Sequence, residues 1–179
     1  MVYIIIGVSG CGKTTIGKAL ASQLGISFLD ADSYHTSGNV RKMKGGFPLN
    51  DKDRIPWLTI LSGKIFEWSA GKGGVLACSA LKQSYRELLC AQVSQGDVCF
   101  VYLQISYESA YSRLQLRTEH FFPLELLQSQ FETLEEPTSA IVIEANASPE
   151  TIVNSILDQL RKDKLYLASH KAHVQYEIS

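Results

Sequence analysis

The chain has 179 residues, 45% of them apolar and 20% charged, so it can bury a core and is not disordered by composition. Lys plus Arg is 17 and Asp plus Glu is 18, a net charge of −1, which argues against attachment to nucleic acid or anionic lipid by bulk charge. No apolar run approaches the ~18 residues that a membrane span needs.

In chain order, the opening MVYIIIGVSGCGK begins with an apolar run but lacks the basic flank and small-residue cleavage site of a signal peptide. It reads as a first strand, Val2–Ile6. Further strands are expected at Ser27–Asp30, Gly74–Cys78, Val98–Gln104 and Ala140–Glu144. Their continuous apolar character predicts a parallel sheet covered on both faces. Helices are expected at Lys13–Leu24, Arg54–Ala70, Ser84–Gln92 and Tyr107–Leu116, the last behind a Ser106 cap. A final helix opens at Ser148-Pro149-Glu150, with proline at the first helical position, and runs to about Arg161. This alternation defines an α/β fold, a doubly wound five-stranded parallel sheet with helices on both faces. Residues 34–51 and 118–137 fit neither a strand nor a core helix and are expected to be functional segments beside a site. The tail 162–179 has weak periodicity and is expected to be partly disordered or surface-packed. Cys11, Cys78, Cys90 and Cys99 form no C-x-x-C pair and no zinc spacing, which fits a reducing, cytoplasmic compartment.

The strongest motif is Gly7-Val8-Ser9-Gly10-Cys11-Gly12-Lys13-Thr14, continued by Thr15. It satisfies G-x-x-x-x-G-K-[ST], with a strand before it and an amphipathic helix after it. Glycines let backbone N–H groups curl around phosphate oxygens, and the helix start adds its positive dipole end. Lys13 would reach the β- and γ-phosphates of ATP, and Thr14 would place its hydroxyl on Mg²⁺. The motif identifies a nucleotide site rather than a reaction. A guanine-reading N-K-x-D and a D-x-x-G switch are both missing from the sequence. The third strand ends in Cys78-Ser79 rather than in Asp, so another carboxylate must help to hold the metal.

That carboxylate is sought in Asp30-Ala31-Asp32, at the carboxyl end of the second strand, where ligands of such sheets bind. Asp30 is the candidate for holding a water of the Mg²⁺ shell, or it merely ends the strand. Asp32 is the candidate general base for an attacking hydroxyl. His35 could orient a polar acceptor, or it packs.

Around these residues lie further segments: Arg41-Lys42-Met43, PLNDKDRIPW at 48–57, CSALKQSYR at 78–86, His120-Phe121-Phe122 and QFETLEEP at 130–137. Together with Gly7–Thr14 and the segment 30–35, they resemble the gluconokinase family over about residues 2–160. This family comprises small P-loop sugar-acid kinases related to shikimate kinase. The resemblance implies ATP-dependent phosphorylation of D-gluconate at its 6-hydroxyl. It also implies a single kinase domain over 1–161, a substrate segment at about 34–56, a lid at about 117–137 and a homodimer. Cys11 stands where serine is common in the family.

A gluconate site needs a fixed cation. Arg54 is the preferred partner for the carboxylate, because guanidinium binds it bidentately. Lys82 could contact acceptor or phosphate, and Arg86 lies one helical turn further on. Asn50, Asp51 and Asp53 either serve the acceptor or start the helix that positions Arg54. Resemblance places Arg113 against adenine, Arg117 on the phosphates in the manner of an arginine finger, and His120 toward the acceptor. The loop at Asn146-Ala147-Ser148 either contacts adenine or caps a helix. Rival readings are another small-metabolite kinase, acting on shikimate or a nucleotide, and a nucleotide-binding protein without turnover.

Overall fold

The computed structural model describes residues 1–116 and 124–176; side chains are described for these except Gln95, Leu124, Glu125 and 163–176. The chain order is β1 (Val2–Ile6), α1 (Lys13–Leu24), β2 (Ser27–Asp30), a short 3₁₀ turn (Ala31–Tyr34), α2 (Ser37–Lys44) and α3 (Asp51–Ser69). There follow β3 (Gly74–Ala77), α4 (Gln83–Leu89), a second 3₁₀ turn (Gln95–Asp97), β4 (Val98–Gln104) and α5 (Tyr107–Gln115). The chain ends with α6 (Leu124–Thr133), β5 (Ile141–Glu144) and α7 (Pro149–Tyr176).

The five strands are all parallel, in the order β2-β3-β1-β4-β5. Both neighbours of β1 come from later in the chain: Ile4 pairs with Leu76 of β3, and Ile5 with Val101 of β4. The direction of winding therefore reverses beside β1, and the crevice that such a reversal opens lies at the carboxyl ends of the strands.

Alternation along β1 serves two cores. Tyr3 and Ile5 face a layer built from Ile16 and Leu20 of α1, Ala110 and Leu114 of α5, Leu127 of α6 and Ile152 and Ile156 of α7. Val2, Ile4 and Ile6 face Trp57, Leu58, Leu61 and Ile65 of α3 and Tyr85 and Leu89 of α4. Burial on both faces is why the strands read as unbroken apolar runs.

Several expectations change. Residues 34–51 contain α2, a helix capped by the Thr36 hydroxyl, which accepts from Asn39 N–H at 3.1 Å. Helix α3 starts at Asp51 rather than Arg54, because Asn50 and Asp53 form a reciprocal capping box. Helix α4 stops at Leu89 instead of Gln92. The last helix continues to Tyr176 instead of ending near Arg161, since no Gly or Pro interrupts 162–176. Among the described residues, no helix is long and apolar enough to cross a membrane.

Candidate active site

The loop after β1 takes positive φ at Gly7 (139°), Gly10 (84°) and Gly12 (102°). These angles suit glycine and aim successive backbone groups inward. Gly10 is constrained twice, since a Cβ there would lie 2.8 Å from the Ala110 carbonyl oxygen of α5. Helix α1 begins directly after this loop, so its first N–H groups have no intrahelical acceptor and remain for an anion. Lys13 Nζ donates to the Val8 carbonyl at 2.9 Å, which folds the ammonium back over the loop.

Asp30, the last residue of β2, joins this loop to the next. Its Oδ2 accepts from Thr14 Oγ1 at 2.6 Å, and its Oδ1 accepts from Asp32 N–H at 3.1 Å. The first bond pairs the two residues expected at a metal. No cluster of three or more His, Cys, Asp or Glu suited to a metal occurs among the described residues. The pair therefore fits Mg²⁺, which keeps several waters and takes substrate phosphates as ligands, better than a metal that needs a full protein cage.

The 3₁₀ turn after β2 displays Asp32 and buries His35. Trp57 of α3 pins the turn by donating Nε1–H to the Ala31 carbonyl at 2.7 Å. The same indole stacks on His35, with ring centroids 4.2 Å apart. The His35 side chain is 4% exposed and that of Asp32 is 80% exposed, with Nε2 and Oδ1 3.9 Å apart. Burial pulls the His35 pKa below its ordinary value; the Asp32 charge opposes this and the Arg54 charge adds to it. His35 is thus neutral at physiological pH, and Asp32 stands free in the cleft. Among the described residues, the buried side-chain atoms without a hydrogen-bond partner are His35 Nδ1 and Arg54 Nε. Such orphans are costly unless a ligand satisfies them.

One cleft is lined by Ser9, Lys13, Asp32, His35, Arg54 and Gln130, among others. It brings together residues from the phosphate loop, the turn after β2, α3 and α6, as the sequence reading expects for the first five. Arg113 is placed by its Nη2–H, which donates to the Ala145 carbonyl at the start of the Asn146–Ser148 loop. Thr15 is an exposed residue in the first turn of α1. Arg117 and His120 lie outside the described residues.

Two residues expected at the substrate, Arg86 and Lys82, are engaged by protein groups. Arg86 is 4% exposed and does not line the cleft. Its Nη1 donates to the Ala80 and Leu81 carbonyls at 3.0 and 3.1 Å, and its Nε to Gln83 Oε1 at 3.2 Å. It is a staple for the turn after β3, where Ala80 takes a φ of 40°, a left-handed conformation that costs a non-glycine residue about 1–2 kcal/mol. Lys82 is also absent from the cleft lining. Its ammonium sits 2.9 Å from Asp51 Oδ1, whose carboxylate also accepts from the Tyr85 hydroxyl. These two bonds, Tyr85 first, hold the Asp51 pKa down. Lys42 likewise pairs with Asp53. Among the described residues Arg54 makes no ion pair of this kind, and its guanidinium lies 5.5 Å from the Tyr85 ring centre. Cys78, below the site, is fully buried, and burial pushes its thiol up to about 12, so it stays neutral.

Residues 128–137, expected to close a lid, are docked. Phe131 packs edge-on to Tyr107, with centroids 5.5 Å apart. Glu135 N–H donates to the Leu81 carbonyl at 2.9 Å, and Glu135 Oε2 accepts from Gln83 N–H at 2.6 Å. Gln130 grips Ser9, a role that sequence reasoning missed although the residue opens the QFETLEEP segment.

A phosphate loop at the switch point of a five-stranded parallel sheet, with carboxylates at the end of β2, defines a P-loop kinase fold. The shikimate kinase family model matches residues 9–161. The chain is 39% identical to the thermoresistant gluconokinase of Escherichia coli K12, over 91% of this chain and 95% of that one. It is 42% identical to the gluconokinase of Arabidopsis thaliana, over 89% and 92% of the two chains. The crystal structure of a gluconokinase from Sinorhizobium meliloti superposes with a TM-score of 0.83 at 37% identity, covering 94% of this chain and 97% of that one. The chain belongs to the gluconokinase family.

Proposed function

We propose that this protein transfers the γ-phosphoryl group of ATP to the 6-hydroxyl of D-gluconate. The observation that carries the reading is the shared cleft of Lys13, Asp32, His35 and Arg54, with the orphaned His35 Nδ1 and Arg54 Nε buried beside it. An acceptor with one carboxylate and a row of hydroxyls answers both orphans, and its relatives by name are gluconokinases.

The start of α1 and the loop glycines bind the phosphates, and Lys13 leaves the Val8 carbonyl for the stronger, charge-assisted bond to a phosphate oxygen. Thr14 and Asp30 would hold Mg²⁺, which neutralises phosphate charge when bound. Arg54 binds the acceptor carboxylate. Neutral His35 exchanges a hydrogen bond with an acceptor hydroxyl at Nδ1. Asp32 takes the proton from the attacking hydroxyl. The reading keeps Arg113 near adenine, Arg117 on the phosphates and His120 at the acceptor, as the family pattern implies. It also keeps the homodimer and the cytoplasmic location, which a solution mass and cell fractionation would test.

The test is ADP release from Mg-ATP with D-gluconate, with shikimate and with no acceptor. Release that depends on gluconate and vanishes in Lys13→Ala is expected. Turnover with shikimate alone would move the substrate, and ATP binding without turnover on any acid would overturn the kinase reading. Asp32→Asn should remove transfer while leaving ATP binding within about threefold; near-normal turnover would exclude Asp32 as the base.

A further inference from the structure

The rim of the phosphate loop is held from outside the loop. Ser9 N–H donates to Gln130 Oε1 at 2.7 Å, and Gln130 Nε2 donates to Ser9 Oγ at 3.0 Å, across 121 positions of sequence. On the sheet side, Gly7 N–H donates to the Ser79 carbonyl at 3.3 Å. The first half of the loop therefore spends these N–H groups on protein partners, and the N–H groups at the start of α1 are left for phosphate.

Gln130 itself stands on a fixed base. Its helix α6 buries Leu127 completely in the core and packs Phe131 against Tyr107. The chain just after α6 is tied to the loop after β3 by Glu135. The residue also lines the cleft that holds Lys13, Asp32, His35 and Arg54. Its carboxamide is neutral, so it offers a donor and an acceptor without bringing negative charge to a site that receives a polyanion. One of the two N–H groups on Nε2 is used by Ser9.

We propose that Gln130 is a positioning residue for phosphoryl transfer, a brace that fixes the acceptor-facing rim of the phosphate loop so that the transferring group is aligned with the acceptor. The proposal rests on the kinase reading above. Nucleotide affinity comes from the start of α1, the loop glycines and Lys13, whereas Gln130 bonds to Ser9. Alignment depends on the rim, and a small misplacement costs rate far more than binding.

The experiment is a double-mutant cycle of Gln130→Ala and Ser9→Ala on the purified full chain. It reads kcat and KM for D-gluconate, the Kd of ATP and the thermal midpoint. Expected for Gln130→Ala is a kcat reduced by roughly tenfold or more, with Kd and KM within about threefold of wild type. The thermal midpoint should be retained. Ser9→Ala, which keeps the backbone bond, should cost less, and the double variant should be no slower than Gln130→Ala alone. A kcat within about twofold of wild type in Gln130→Ala would overturn the proposal. So would a parallel fall of ATP affinity and thermal midpoint, which would mark a merely structural contact. If wild type ignores gluconate, the substrate reading fails by itself. The same cycle is then read with the acid that does support ADP release, where an unchanged kcat in Gln130→Ala overturns the brace; if no acid supports it, the brace falls with the kinase reading.

Discussion

Asp32 and His35 are three residues apart and have opposite environments, one exposed and one buried against Trp57. The buried imidazole gives stability a pH dependence whose sign follows from linkage. Burial lowers the folded pKa of His35, so the unfolded chain takes up a proton near its ordinary value of about 6.5 while the folded chain does so only at lower pH. Stability should therefore be full above that value, fall as pH drops below it, and level off once the folded state is protonated as well. Denaturant midpoints between about pH 7.5 and pH 5 should show this slope, and His35→Asn should flatten it. Arg54 yields a different readout. Replacing it by Ala removes a charge-assisted partner of the acceptor, worth about 1.5–3 kcal/mol. The KM for gluconate should rise by about 10- to 100-fold with kcat changed much less; an unchanged KM would place the carboxylate elsewhere.

At the scale of elements, the site depends on joints that touch no substrate. Helix α3 carries Arg54 in its first turn, and its start is set by the Asn50–Asp53 capping box. Asn50→Ala should cost about 1 kcal/mol of stability, visible as a lower denaturant midpoint. Arg86 staples the turn after β3 through two carbonyls. Arg86→Met should lower stability by roughly 1–3 kcal/mol, because the Ala80 carbonyl loses its partner while the Leu81 carbonyl keeps the Glu135 N–H. It should change the acceptor KM less than Arg54→Ala does, the reverse of what a substrate contact predicts. An arginine one helical turn beyond a motif lysine reads alike in both roles. Only the path of the backbone at Ala80, turned by its positive φ, decides that the guanidinium meets carbonyls.

For the whole molecule, β1 separates two cores with consecutive residues. Ile4 and Ile5 are both fully buried, on opposite faces. Ile4→Ala and Ile5→Ala should each cost about 2–5 kcal/mol. Because one sheet joins the two layers, each variant should still unfold in a single transition by both fluorescence and circular dichroism. Two separate transitions in either variant would show that the layers fold independently.

Much of this architecture is readable from local chemistry. Continuous Val, Ile and Leu runs mark strands buried on both faces, and G-x-x-x-x-G-K-T between a strand and a helix marks a phosphate loop wherever it occurs. The carboxylates at the end of β2 follow from the same rule, since parallel sheets collect ligands at the carboxyl ends of their strands. The helix in 34–51 escaped because its apolar positions are few and its glycines and charges resemble a loop. What sequence alone determined is therefore the five strands, the helices α1, α3, α4, α5 and α7, the phosphate loop and the cleft residues carried on strand ends, but not α2 or α6. Tertiary structure alone decided which cations are free. Lys42, Lys82 and Arg86 are cations like Arg54, but Asp53, Asp51 and two backbone carbonyls engage them. It also decided that Gln130 reaches Ser9 across 121 residues. The physical reason is that propensity, capping and motif geometry act within a few residues of the chain, whereas the partner of a charge or a carboxamide is set by how distant segments pack.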